Sequence, residues 1–246
     1  MDAAAEALLL AGGARAILLQ LANPAVGRGV AEHSDFAYRP LVRLRGTLTY
    51  LYVVAFGTAD EVARIARAVG RAHAPVRGDG YDAREVALQV WVAATIYDTA
   101  VRMHELVFGP LPAGEAQALL DRSAAIATTL GVPRASWPAT AGDFAEYWSR
   151  CEAGLRVDDP ARGVARALLH PRHGPWWFRL LMPGIRVLTA GLLSPELRAA
   201  YDLRHDEGRY ARMVQFVRLV YPRLPAAIRH APMRHYLRKF RAGQRA

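Results

Sequence analysis

Leu41-Val42-Arg43-Leu44-Arg45-Gly46-Thr47-Leu48-Thr49-Tyr50-Leu51-Tyr52-Val53-Val54-Ala55-Phe56 is the run whose reading decides the fold. Read as one helix ended by Gly57, it stacks Arg43 and Thr47 on a single face, because positions four apart lie one above the other. A cation and a hydroxyl then point into the same space. Apolar residues occupy nearly every side of this helix, which predicts burial, and a buried arginine needs an anionic partner.

The same recurrence of apolar residues at spacings of three and four continues on both sides of the run. No alternation with period two lasts, so the chain reads as all-α without need of strands. Upstream lie an apolar helix over 3–21, closed by Asn23-Pro24, and a short one over 25–32. Downstream, 60–72 is helical, 75–81 with Gly78 and Gly80 is a loop, and 83–108 is the longest helical pattern, stopped by Gly109-Pro110. An amphipathic helix over 113–130 ends at Gly131, 140–151 is a further helix, and 160–175, holding Pro171 and Gly174, is the expected linker. Residues 176–193 are strongly apolar but interrupted by Arg179, Pro183, Gly184 and Arg186. That pattern fits a core helix or a substrate-channel wall better than a membrane contact. Ser194-Pro195-Glu196 starts a helix with proline in its first turn, and helices run on through the C-terminal segment.

A chain of 246 residues with 52% hydrophobic content can bury a sizeable core, and it reads as one all-α domain over 1–246 with a basic helical segment over 208–246. The lone Cys151 excludes an internal disulfide, a Cys-x-x-Cys metal site and a covalently attached c-type haem. Acids near the start, with Gly12, Gly13 and Arg15 inside the first apolar stretch, argue against a secretory signal or a transmembrane segment; a cytoplasmic protein is expected. The net charge of +10 lies entirely after Glu207, where ten basic residues meet no acid. Such a segment suits nucleic acid, anionic lipid or the acidic groups of a cofactor, or it is simply a solvated helical tail.

His73, in Ala72-His73-Ala74-Pro75-Val76-Arg77-Gly78, ends a helix beside a turn, where packing can fix an imidazole within reach of a cofactor. It can equally serve the helix dipole. Together with Arg43 and Thr47 it forms the set a buried haem needs: one axial nitrogen for iron and polar groups to manage what binds opposite. Glu32-His33-Ser34-Asp35 offers a ligand or proton carrier, or else a helix end capped by Ser34 or Asp35. His170-x-x-His173 has metal-compatible spacing, but Pro171 interrupts it and no third ligand is near. His104-Glu105 is followed by Phe108 where a zincin has histidine, and no glutamate has a histidine three places on, which argues against a di-iron bundle. Dinucleotide, Walker and nucleophile-elbow motifs are absent from the sequence, and Cys151, far from any histidine, reads as a small buried residue.

Several of these segments together resemble one family. They are 11–24 (Ala-Gly-Gly-Ala-Arg-Ala-Ile-Leu-Leu-Gln-Leu-Ala-Asn-Pro), His33-Ser34-Asp35-Phe36, Arg43-Leu44-Arg45-Gly46-Thr47, Phe56-Gly57, 73–78, 88–95 and 192–198, over roughly 200 residues and in the right order. The family is that of the fungal MpaB oxygenases and the bacterial latex clearing proteins. The resemblance implies an all-α, globin-like multi-helix bundle that holds one haem b and uses dioxygen to cleave or oxidise an apolar substrate. It implies His73 as the axial iron ligand, Arg43 and Thr47 as the Arg-x-x-x-Thr pair near the haem, and Arg77 as a further cofactor contact. Glu32 is the nearest candidate for a catalytic base. Rubber-cleaving members carry a lysine before that threonine, where this chain has Gly46; Ala93 and Asn23 stand where many or some members have histidine.

Arg43 then serves either as a distal donor or as a clamp on a haem propionate, whose carboxylate its fork matches. The apolar stretches 176–193 and 88–96 are expected to wall a hydrophobic pocket. The expectation is a haem-dependent oxygenase, an oxidoreductase acting with dioxygen on a hydrophobic small molecule. The alternatives are a non-catalytic haem-binding or sensing protein, and a nucleic-acid-binding protein using the basic segment, for which no helix-turn-helix with a reading face is visible.

Overall fold

The helices come in the order α1 (Leu8–Leu21), α2 (Pro24–His33), α3 (Pro40–Phe56), α4 (Ala59–His73), α5 (Val86–Phe108), α6 (Ala113–Ser123), α7 (Ala125–Thr128), α8 (Ala141–Ala153), α9 (Asp159–Leu169), α10 (Trp176–Leu192), α11 (Pro195–Ala200), α12 (Glu207–Val220), α13 (Ala226–Arg229) and α14 (Ala231–Ala242). Between α4 and α5 lies one small hairpin, β1 (Arg77–Gly78) with β2 (Tyr81–Asp82). This computed structural model describes residues 5–33, 40–173 and 175–243, and the architecture is an all-α multi-helix bundle. The Ser34 and Asp35 cap lies outside the described residues.

Local chemistry sets the boundaries. Asn23 Oδ1 accepts from the amides of Ala25 and Val26, so the residue that follows α1 also caps α2, and the two helices bend by 108°. Thr58 and Thr140 start α4 and α8 with capping boxes completed by Glu61 and Asp143. Asp158 caps α9, with Pro160 in the first turn, where its missing amide costs nothing.

Four expectations change. Among the described residues the first helix begins at Leu8, residues 3 and 4 of the expected span lying outside them, and the predicted 113–130 helix breaks at Ala124 into α6 and α7. The expected linker over 160–175 is mostly α9, whose Ala161, Ala165, Leu168 and Leu169 are buried in the largest core cluster. Pro160 opens this helix, while Pro171 and Pro175 follow it. The 75–81 loop closes as a hairpin, Arg77 pairing with Asp82 around Gly80 at φ +73°. A Cβ at Gly78 would come within 2.7 Å of the Tyr81 ring, so glycine is required for the ring to tuck beneath the turn.

The bundle is organised on the crossing of α1 and α5. Gly12 lets the two backbones approach: a Cβ there would meet Thr99 Cγ2 and Met103 Cγ at 2.7 Å. Around this crossing, Leu18, Leu19, Leu21, Trp91 and Met103 are almost wholly excluded from solvent. The basic C-terminal segment folds back rather than trailing in solvent. Arg229 donates to the buried Glu6 carboxylate at 2.5 Å, and Tyr221 Oη donates to its other oxygen at 2.7 Å. Arg241 grips Glu61 through two hydrogen bonds of 2.8 and 3.1 Å, and Tyr236 of α14 stacks on Tyr52 of α3.

Two outcomes follow from these contacts. Gly12→Ala forces Thr99 or Met103 to move and is expected to cost about 1–3 kcal/mol, whereas Gly13→Ala, one residue on and facing open space, should stabilise by about 0.5–1 kcal/mol in urea unfolding. The Arg241 hydrogen bonds, then the Thr58 amide, lower the Glu61 pKa from 4.5 to about 2. In that window the folded chain binds fewer protons at Glu61 than the unfolded chain, so this stabilisation is complete above pH 4.5 and is lost as pH falls toward 2. Glu61→Gln should flatten that part of a plot of melting temperature against pH.

Candidate functional site

An apolar cavity of about 460 Å³ lies between α1, α3, α5 and the α6–α7 elbow. Each wall follows helical periodicity: Gly13, Ala16, Ile17 and Gln20 from α1, and Ile96, Thr99 and Ala100 from α5. From α3, Arg43, Thr47, Leu51 and Val54 form one row of the lining. Gly13 carries no side chain into this space, and a Cβ there would meet nothing within 4 Å. Tyr50 Oη donates to the Ile126 carbonyl at 2.5 Å and so fixes α3 to α7. Burial pushes the Tyr50 phenol well above its ordinary range.

Polar groups at the deep wall are already engaged. Gln20 donates to Thr95 Oγ1 at 3.0 Å, and Thr95 donates to the Val92 carbonyl at 2.7 Å. Behind the wall Arg15 donates to Thr99 Oγ1 at 2.8 Å and to the Leu192 carbonyl at 2.9 Å, and lies 2.7 Å from Asp98 Oδ2. Asp98 Oδ1 lies 3.7 Å from Arg102 Nε, so a second cation flanks the same carboxylate. Burial lowers the Arg15 pKa and Asp98 raises it again, the first effect being larger. These groups form a polar stripe, Thr95, Asp98, Thr99 and Arg102, along the mostly apolar middle of α5. Their i, i+3, i+4, i+7 spacing is the sequence signal for it.

Arg43 and Thr47 line the cavity as their shared face predicts, but both are exposed, so the cavity opens to solvent along the first half of α3. The expected burial of Arg43 is therefore corrected: it stands at the mouth, and no carboxylate pairs with it among the described residues. The turn at Gly57 and Thr58 makes α4 run back along α3, which returns His73 to the Arg43 end. There burial, and then the Arg43 charge, lower the His73 pKa and favour its neutral ring. Gly46, between Arg43 and Thr47, is exposed, and a Cβ there meets nothing.

Glu32, His73 and Arg77 do not line the cavity. Glu32 accepts the Tyr81 hydroxyl at 2.5 Å, and the His33 ring lies 2.9 Å from the same oxygen. That hydrogen bond, then burial, raises the Tyr81 pKa. The cluster braces the hairpin following His73, in which Arg77 is exposed on β1 opposite Asp82. The expected walls also change: of 88–96 only Ile96 borders the cavity, and no residue of 176–193 does. Ala93 is fully buried in a separate cluster with Val90 and Tyr97. His170 and His173 join no group of three or more potential metal ligands among the described residues. Cys151 is half-buried rather than sealed in the core.

The sequence model of the family described as "ER-bound oxygenase mpaB/B'/Rubber oxygenase, catalytic domain" matches residues 2–220. An uncharacterised protein of Mycobacterium bovis and one of Mycobacterium tuberculosis are each 37% identical to the chain over 206 residues, covering 80% of it and 81% of the relative. No solved structure matches the chain.

Asp98→Ala leaves the Arg15 guanidinium buried without its counter-charge and is expected to cost about 3–5 kcal/mol in urea unfolding. The double replacement Asp98→Ala, Arg15→Met should recover much of that loss, since no uncompensated charge remains.

Proposed function

The chain belongs to the family of mpaB-type and rubber oxygenase catalytic domains, and from that premise we propose that it is a haem b-dependent oxygenase that brings dioxygen to a hydrophobic small molecule. One observation carries the reading: Arg43 and Thr47 stand at the open end of an apolar cavity, with His73 within electrostatic reach of Arg43. The cavity falls within the range of small-molecule sites, about 300–1,000 Å³. Its donor set also fits the cofactor. A guanidinium lacking a carboxylate awaits an anion, a histidine favours the neutral form that ligates metal, and Gly46 leaves space beside Thr47.

In this reading His73 would hold the haem iron through its imidazole, and the haem, when bound, would supply the dioxygen chemistry. Arg43 would hold a propionate, whose carboxylate its fork matches, or would act as a hydrogen-bond donor to dioxygen. Thr47, one turn deeper, holds a proton on a hydroxyl that can donate or accept. The leucine, isoleucine and alanine lining excludes water and selects an apolar substrate, because a charged one would lose its hydration without compensation. For Glu32 to act as base, Tyr81 must release it; bracing the hairpin is the simpler role. The single free thiol suits the reducing cytoplasm, where we place this activity.

The full-length protein supplied with hemin should show a Soret band, and His73→Ala should abolish it while leaving the far-ultraviolet dichroism unchanged. Arg43→Ala should lower haem content if Arg43 clamps a propionate; if it is a donor, haem stays and oxygen uptake falls. Substrate-dependent oxygen uptake separates an oxygenase from a non-catalytic haem protein. A folded wild type that stays colourless, or a folded His73→Ala variant with full haem occupancy, would overturn the assignment.

A further inference from the structure

The first half of α10 departs furthest from the core role its composition suggests. Trp176, Trp177, Leu180 and Leu181 are 73%, 48%, 70% and 57% exposed. Their i, i+1, i+4, i+5 spacing places them on one face, while Phe178, Met182 and Ile185 turn toward the core. Side chains this exposed protrude rather than line a groove. Beyond Pro183 and Gly184 the helix turns inward, and Leu188, Thr189 and Ala190 are buried. Isolated exposed apolar residues are ordinary; two tryptophans and two leucines in one patch mark a contact surface.

Charge indicates what covers it. Between Asp159 and Glu196 the sequence contains no acid, but it contains Arg162, Arg166, Arg172, Arg179 and Arg186. Arg172 and Arg179 are exposed and make no ion pair among the described residues. A second copy would press one acid-free, arginine-bearing flank against another, and like charges oppose that contact. A bilayer with anionic headgroups accepts tryptophan and leucine at its interface and draws arginines to its surface. No single helix among the described residues is long and apolar enough to cross a membrane, so the contact is in-plane.

We propose that α10 docks this protein onto an anionic lipid surface, with Trp176, Trp177, Leu180 and Leu181 inserted at the interface and Arg172 and Arg179 at the headgroups. The proposal is independent of the haem assignment, and its test uses neither haem nor substrate. Full-length protein is floated with vesicles of phosphatidylglycerol and phosphatidylcholine, and separately with phosphatidylcholine alone. It should bind the mixed vesicles and bind the neutral ones far more weakly. Trp176→Ser with Leu180→Ser removes two exposed apolar side chains and should weaken partitioning about tenfold or more, with the unfolding midpoint unchanged. Arg172→Ala with Arg179→Ala should weaken binding to the anionic vesicles only, the difference shrinking as salt rises. Failure of the wild type to float with anionic vesicles overturns the proposal, as does undiminished binding by the Trp176 and Leu180 variant. A protein that sediments as a dimer, becomes monomeric in that variant and ignores lipid assigns the face to a second copy instead.

Discussion

The crossing of α1 over α5 is the constraint on which the rest depends. A hydrogen atom at Gly12, where any other residue has a carbon, lets the helices approach closely enough for Arg15 to reach Asp98 and Thr99. The same contact sets the cavity, since the next residues along both helices, Gly13 and Ala16 on one side and Thr99 and Ala100 on the other, are its walls. A buried ion pair adds little net stability once desolvation is counted. What it supplies here is register: sliding either helix by one turn would strand a guanidinium in a dry interface. Precise wall placement behind an apolar space is thus obtained from charge held outside that space.

How much of this was legible in the sequence differs by element. The periodicity of α3 gave the shared face of Arg43 and Thr47, and the helix starts read at residues 60, 140 and 194 fall within one residue of α4, α8 and α11. Arg43 was misjudged because hydropathy counts neighbours along the chain, whereas exposure depends on what packs across it; its end of α3 faces the cavity mouth. Residues 176–193 are a core helix only in part: Met182, Leu188 and Ala190 are buried, but the first half stands exposed, since an apolar composition does not say which element covers it. The partners of the basic segment were hidden by distance, Arg241 lying 180 residues from Glu61. His73 stood out through its turn, but only the reversal between α3 and α4 brings it to Arg43.

The cavity is asymmetric in a way that bears on chemistry. The lining of α1 and α5 is small and apolar apart from Gln20, Tyr97 and Thr99, whereas α3 brings Arg43 and Thr47 to the open end and α6 brings Asp121 and Arg122 to another side. Charge is therefore confined to the α3 and α6 sides of a largely apolar space. A ligand with one charged edge and one greasy face would be oriented on entry by that gradient alone, before any specific contact forms.

The Glu6–Arg229 clasp has a consequence for how the chain is made. During translation the carboxylate emerges early, and the guanidinium that neutralises it lies 223 positions further along. Until the ribosome has delivered that arginine, α1 cannot seat its first turn without an uncompensated negative charge in the interior. Native docking of the opening helix is thus a late, post-synthetic event.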